Sequence, residues 1–440
     1  MKQKILALFS LALAACDDSP GVDRALEGEM EDAPRSIEVE AGQPTTPPAQ
    51  IHKYSLGLNY NNHVETFYTA DIDRIYNADT VLPRWARFIF NIFPAYNAWD
   101  TTGKWPGGKA WIAKYCAAHD SGVKTVLNIR WEFRRCGPDE VCDNEDDRPI
   151  PFVNSTCKAQ GTCPVYARYV KFLNEEFLPE IEACTNVLVI GNEPFLETDE
   201  EITPNSNFTR FYKNIAQDAL DVWPWDATPF YFGSFEGLWL HNDTKKDQAR
   251  EELLTFVNNE AHISGIDLHM HTRTMDQIDL AFEWLNEGRL ANGKEIIITE
   301  FSPAPALFDN MQQSLDPDFK DKWGAPGPKN GHYLDHALEA PRPVKEFQEW
   351  ISTLQLSKTT PHYVCEAWKR FRSHPGRFRL AFQGARQASK PEDFDWQEKW
   401  PWVLNPILMP ITQEPVNGQP SIRWNWYNDV QKILKEDPCP

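Results

Sequence analysis

Basic charge is scarce along this 440-residue chain: 44 Lys and Arg stand against 64 Asp and Glu, a formal charge of −20 at pH 7. Proteins that bind nucleic acid draw their affinity from neutralised phosphates, so nucleic acid is excluded as an expected partner. A long hydrophobic run is lacking too, since the apolar stretch from Ile5 to Ala15 falls short of the roughly 20 residues that a bilayer span requires. The CxxC spacing that usually marks a zinc site is absent among the nine cysteines. Aromatic residues are plentiful instead. With 17 Trp, 25 Phe and 13 Tyr and a hydrophobic share of 41%, the chain can bury a sizeable core, which rules out disorder throughout.

The N-terminus carries Lys2 and Lys4 ahead of the apolar run and so reads as a signal peptide over residues 1–15. Its end, Leu13-Ala14-Ala15-Cys16, resembles the lipobox of bacterial lipoproteins, which implies diacylation of Cys16 and a lipid anchor in the bacterial cell envelope, on the periplasmic side or at the cell surface. Residues 16–50 follow as an acidic tether. Positions 17–50 hold nine acidic side chains and two Arg and close on Pro47-Pro48, a composition that cannot bury enough surface to fold. Setting Cys16 aside leaves eight cysteines, an even number in an exported chain, so disulfides are expected with their connectivity open. Cys136, Cys142, Cys157 and Cys163 form two CxxxxxC pairs, read as local disulfides in preference to a metal site.

Residues 51–440 alternate short apolar runs with longer amphipathic ones, which argues for parallel strands joined by crossover helices. Strands are expected at 54–59, 85–92, 124–129, 186–191, 229–234, 264–270, 295–299 and, least regular, 377–382. Runs such as VLVIG and EIIIT do not alternate, as befits strands buried on both faces. Helices are expected over Pro164–Ala183, with Tyr166, Tyr169, Val170, Leu173, Phe177, Leu178 and Ile181 facing the sheet, and over Met275–Leu290, with Ile278, Leu280, Phe282 and Leu285 doing the same. Eight such units predict an α/β fold, a (β/α)8 TIM barrel, with a doubly wound open sheet as the alternative. Long loop insertions are expected after strand 3 (Arg134 to Cys163) and strand 7 (Ser302 to about Pro341), on the face where strand C-termini end.

Two glutamates end strands. Gly191-Asn192-Glu193-Pro194 follows VLVI, and Glu300 follows IIIT. Strands four and seven lie across the mouth of a closed barrel, so these carboxylates can face one another at about 5 Å, the separation used in retaining glycoside hydrolysis. The pattern resembles clan-A retaining glycoside hydrolases, including family five, whose acid/base Glu follows Asn after strand four and whose nucleophile ends strand seven. That resemblance implies Glu193 as acid/base, Glu300 as nucleophile, Asn192 as partner of a sugar 2-hydroxyl, and a β-linked oligo- or polysaccharide as substrate, cleaved internally. It further implies that Arg87 in strand two holds the nucleophile ionised and that His269 or His271 on strand six hydrogen-bonds it. No cofactor or metal is needed by such a mechanism, and a monomer is expected.

Sugar C–H faces stack on indole. Trp99, Trp105, Trp131, Trp239, Trp323, Trp396, Trp400 and Trp402 all follow strands, and Trp131, Trp239 and Trp323 are the expected substrate platforms, with Glu236 as a further carboxylate for sugar hydroxyls. Two alternatives stay open. The His269-Met270-His271 pair is similar to the HxH of metal-dependent amidohydrolases, although there it ends strand one, which here reads GLNYNN. A tethered barrel could also bind glycans without turning them over.

Overall fold

A computed structural model describes residues 51, 54–61, 64, 67–77, 79–133, 150–198, 202–240, 243–387 and 394–439. Cys16, the tether and the Cys136/Cys142 pair lie outside the described residues. Eight strands form a closed barrel in sequence order: β1 Ser55–Asn59, β2 Trp85–Asn91, β3 Lys124–Arg130, β4 Val187–Ile190, β5 Phe230–Glu236, β6 Gly265–His271, β7 Glu295–Ser302 and β8 Phe378–Gly384. All pairings are parallel, and β8 closes on β1 with Leu58 opposite Gln383. The expected strands are all present and the open sheet is excluded.

Period-two alternation divides the barrel interior into two layers. Trp85, Val126, Val189, Tyr231, Ile297, Leu380 and Phe382 form an apolar layer. One step nearer the strand C-termini, the same alternation brings Arg87, Asn128, Asp267, Thr299 and His269 inward, all fully buried. Phe382 fills the apolar layer because Gly57 opposes it, where a Cβ would come within 2.3 Å of the Phe382 ring. The outer face of the sheet is covered by helices whose apolar stripes follow the 3.6-residue period. The helical stretch from Pro164 to Cys184 buries Tyr166, Tyr169, Leu173, Phe177 and Ile181 as expected. Helix Asp276–Trp284 buries Ile278 and Phe282, but Leu280 is exposed. Two residues turn a helix by about 200°, so a residue at i+2 from a buried one faces away from the sheet.

Between β7 and β8 the chain forms helices Ala304–Met311, Pro317–Trp323, Asn330–Glu339, Val344–Thr353 and Gln355–Thr359 before helix Tyr363–Arg372 returns to pack on β8. This excursion runs past the expected end near Pro341. It carries a second hydrophobic cluster, in which Leu307, Tyr333, Phe347 and Trp350 from before β8 pack with Trp396, Leu404 and Met409 from after it. Among the described residues, disulfides join Cys116 to Cys184, Cys157 to Cys163 and Cys365 to Cys439. The 157–163 pair is the local bridge expected from its spacing.

Candidate active site

The end of β4 is shaped by crowding. Gly191 has φ +108°, and a Cβ there would come within 1.7 Å of the Gly233 carbonyl on β5, so only glycine lets the chain turn inward at this point. Asn192 follows, buried, its Oδ1 accepting from Arg87 Nη2 at 2.6 Å and its Nδ2 donating to Glu197 Oε1 at 2.8 Å. Glu193 then adopts φ +43°, a left-handed conformation costing a non-glycine residue on the order of 1–3 kcal/mol. It is held there by Leu196 and Glu197, whose backbone N–H groups both donate to its carbonyl at 2.9 Å.

Glu300 reaches the interior through an irregularity. Ile298 pairs with Leu268 but Glu300 pairs with His269, so Thr299 is an extra residue on β7. Such a bulge re-aims side chains, and here consecutive residues, Thr299 and Glu300, both bond to groups inside the barrel. Arg87, fully buried, lies at the centre. Its Nη1 sits 2.5 Å from Glu300 Oε1, its Nε donates to Asn128 Oδ1 at 2.9 Å, and Nη1 also reaches Asn61 Oδ1 at 3.0 Å. The expected partnership of Arg87 with Glu300 is therefore a direct ion pair.

The histidines differ from expectation. His269 Nδ1 is 3.0 Å from Glu193 Oε1 and its Nε2 is 3.1 Å from Thr299 Oγ1, so its hydrogen bond goes to Glu193 and not to Glu300. Thr299, the extra residue on β7, takes the other ring nitrogen. His271 Nε2 lies between the two glutamates, 3.4 Å from Glu193 Oε1 and 3.6 Å from Glu300 Oε2. Those two oxygens are thus at most about 7 Å apart, a limit that admits the roughly 5 Å of retaining chemistry.

Burial opposes ionisation of both carboxyls, but the cations win. Hydrogen bonds and charge from His269 and His271 hold Glu193 well below the usual carboxylate range. The charges of His269 and Arg87 lower Glu300. His269 is raised, its burial outweighed by Glu300 and Glu193. Two further carboxyls go the other way. Burial and the nearby Glu193 charge push Glu236 up to about 8, and its Oε2 is buried without a hydrogen-bond partner. Burial, joined by the Glu193 charge, raises Glu197 despite an Arg130 ion pair of 2.7 Å.

A cleft of about 440 Å³ opens over this layer, lined by Asn59, Asn192, Glu193, Glu197, Glu300 and Trp402 among others. Trp402, 41% exposed, meets the His271 ring edge to face with centroids 4.6 Å apart. The platforms expected from sequence lie elsewhere. Trp131 is 1% exposed and wedged edge-on between Phe93 and Phe211, so no ring face is open to a sugar. Trp239 is half-buried against the main core, and Trp323 packs on the second cluster at the end of its helix; neither lines the cleft. Sequence reasoning missed Asn128, Asp267 and Thr299. Their signal was a polar residue at an inward position of an otherwise apolar strand.

Among the described residues, one group has the make-up to hold a metal ion: Glu193, His269 and His271 offer ligand atoms within 4.8 Å of one another. No helix among the described residues is long and apolar enough to cross a membrane.

No protein-family model matches the sequence, and no curated protein matches it. Solved structures with a similar barrel include a glycoside hydrolase family 5 enzyme from Prevotella bryantii B14, 11% identical with a TM-score of 0.46 over 88% of this chain and 99% of that one. Family 1 β-glucosidase from Thermotoga maritima is 8% identical, with a TM-score of 0.46 over 90% of this chain and 100% of its own. Xylanase 10B from the same organism is 10% identical, with a TM-score of 0.43 over 87% and 95%. At such identity none of them speaks to the reaction.

Proposed function

We propose that this protein is a retaining glycoside hydrolase acting on β-linked glycans, with Glu300 as nucleophile and Glu193 as acid/base. One observation carries the reading: Glu193, just past β4, and Glu300, near the end of β7, both line an open cleft and both lie within 3.6 Å of a single imidazole nitrogen, His271 Nε2. Double displacement needs one carboxylate that stays ionised beside the anomeric carbon and one that exchanges a proton with the leaving oxygen. Glu300, paired with Arg87, suits the first role. Glu193, hydrogen-bonded to His269, suits the second.

In the first half-reaction Glu300 attacks the anomeric carbon as its bond to the leaving oxygen breaks, and that oxygen takes a proton. In the second, water replaces Glu300 and gives up a proton. Asn192, fixed by Arg87 and Glu197, presents its amide beside Glu193, where a sugar 2-hydroxyl would lie. Trp402 on the rim offers an indole for stacking, and the cleft volume suits more than one sugar ring, which favours internal cleavage of a polysaccharide. We further propose that the chain is lipid-anchored at Cys16, so that Cys16→Ser moves it from the detergent phase to the aqueous phase on partitioning.

The decisive experiment is incubation with soluble β-glucan, mannan, xylan and galactan, assayed for new reducing ends, alongside 2-deoxy-2-fluoro glycosides and mass spectrometry of the peptide holding Glu300. A covalent label on Glu300 is expected. Cleavage without a label, or label elsewhere, overturns the assignment. A second reading, metal-dependent hydrolysis, is favoured by the Glu193–His269–His271 grouping and predicts loss of activity on chelation.

A further inference from the structure

We propose that a chloride ion binds in a small cavity bordered by Ile351 and Leu356 of the second cluster, held by Arg423 and the first turn of helix Trp424–Leu434, and that it secures the adjoining wall of the cleft. The site lies outside the catalytic layer and does not depend on the glycosidase reading.

Arg423 is 2% exposed, yet among the described residues it faces no carboxylate. Its Nη1 donates to the Leu404 carbonyl, and its guanidinium carbon sits 3.3 Å from the centre of the Trp426 ring. Nε and Nη2 have no partner among the described residues. The acidic residues on the two long helices around it are engaged elsewhere: Glu346 with Arg342 and Tyr333, Glu349 with Lys322, and Asp429 with His362. Burial alone lowers Arg423 to about 9, which still leaves it a cation at neutral pH. Stacking on an indole favours such a cation but does not neutralise it, and a buried charge without a counter-charge is strongly destabilising.

The arginine side chain lines the cavity with Gln348, Ser357, Thr360, Asn425 and Trp426 among others, and none of the lining side chains carries negative charge. Helix Trp424–Leu434, 11 residues long, starts at Arg423 with no side chain capping its first turn. Asn425 and Trp426 belong to that turn, so unbonded backbone N–H groups and the positive end of the helix dipole stand at the same wall as the free guanidinium nitrogens. The Ser357 and Thr360 hydroxyls, without partners among the described residues, can turn their hydrogens the same way. A cavity of about 10 Å³ admits one centre near the size of a water. Phosphate, sulfate and carboxylate are too large for it, and a water would accept hydrogen bonds yet leave the charge whole. Chloride meets both the size and the charge. Exposed Pro361 and Asn425 give it a way in from solvent.

The ion has a structural consequence. Leu404 ends the short helix Trp402–Leu404, and the Arg423 backbone N–H donates to the Ile407 carbonyl at 2.8 Å. Arg423 is thus tied at two points to the segment that supplies Trp402, Val403, Asn405 and Pro406 to the cleft, so neutralising its charge stabilises that segment where it is.

Crystals of the full chain grown in sodium bromide test the site directly, since bromide replaces chloride and is located by anomalous scattering. A peak in hydrogen-bond contact with Arg423 Nε or Nη2 is expected; peaks at other positions alone overturn the proposal. Urea denaturation at constant ionic strength, with gluconate exchanged for chloride, tests the role. Each tenfold rise in chloride above its Kd should raise the folding constant about tenfold, as for one ion bound only by the folded state. Arg423→Met should abolish this dependence. Should that variant fail to fold, Ser357→Ala, which keeps the arginine and removes one donor, should raise the chloride Kd about fivefold. A wild type whose stability is the same in chloride and gluconate overturns the proposal, as does a chloride dependence that survives Arg423→Met. Bromide beside Arg423 with no effect of chloride on stability would be an adventitious ion only, and overturns the structural role.

Discussion

Arg87 Nη1 and Glu300 Oε1 are 2.5 Å apart in the buried polar layer, with the arginine side chain sealed from solvent and the glutamate nearly so. The two come from strands that β1 and β8 separate, β2 and β7, and their pairing fixes both the charge of one carboxylate and the position of Asn192, which binds the same guanidinium. Arg87→Met removes a cation that lowers Glu300, so the Glu300 carboxyl moves up and the acid limb of kcat/KM moves to higher pH. A carboxyl held low in the folded state contributes stability above its ordinary value that is lost as pH falls through its folded value. The variant lacks that contribution and leaves a buried charge unpaired, so it should be less stable by about 3–5 kcal/mol at pH 7, with the gap narrowing in acid. Urea melts of both proteins at pH 7 and pH 4 check this; a gap that widens in acid contradicts the assignment.

Glu300→Gly should reduce turnover by about a thousandfold or more, since the covalent step disappears. Added azide, filling the space, should restore turnover and release a glycosyl azide of the anomeric configuration opposite to the wild-type product. Unchanged hydrolysis by the variant would remove Glu300 from the mechanism.

Glu193→Ala should slow cleavage of a natural glycan by about 10²–10⁴-fold, the range of general acid catalysis, and barely slow glycosylation by an aryl glycoside whose leaving group needs no proton. The comparison of the two rates is the measurement. Equal losses would make Glu193 a structural residue.

Extensive EDTA treatment should leave activity intact, because neither half-reaction has a step for a metal. Activity that vanishes on chelation and returns with Zn²⁺ would instead make Glu193, His269 and His271 metal ligands.

The barrel was legible because strands buried on both faces leave unbroken apolar runs, and VLVI and EIIIT stand out from the helical periodicity around them. Even the irregular eighth strand is present, although Arg379 interrupts its run. Arg379 is the extra residue where β8 shifts register against β7, and it pairs with Glu295 at 2.6 Å. Glu193 and Glu300 were legible for the same reason: each is the first acidic residue after a buried run. What could not be read was anything that depends on three-dimensional neighbours. Trp131 follows its strand as directly as an exposed platform would, but the helices carrying Phe93 and Phe211 close over it. Trp402 was one of a group of three without distinction until the second cluster buried Trp396 and left Trp402 at the cleft. The histidines were placed on the correct strand face, yet which glutamate His269 binds has no sequence mark, and neither has the extra residue on β7, Thr299, that takes its other nitrogen.

The second cluster draws residues from both sides of β8 in the chain, and its later part, with Val403 and Leu404, shares its segment with the cleft wall at Trp402, Val403, Asn405 and Pro406. During synthesis the chain emerges in order, so both glutamates leave the ribosome long before the wall that faces them. Leu307 and Trp350 cannot find Leu404 and Met409 until β8 has emerged between them and can settle beside β1 and β7. A nascent chain halted before Trp402 would carry Glu193 and Glu300 without the wall that Trp402, Val403, Asn405 and Pro406 build beside them.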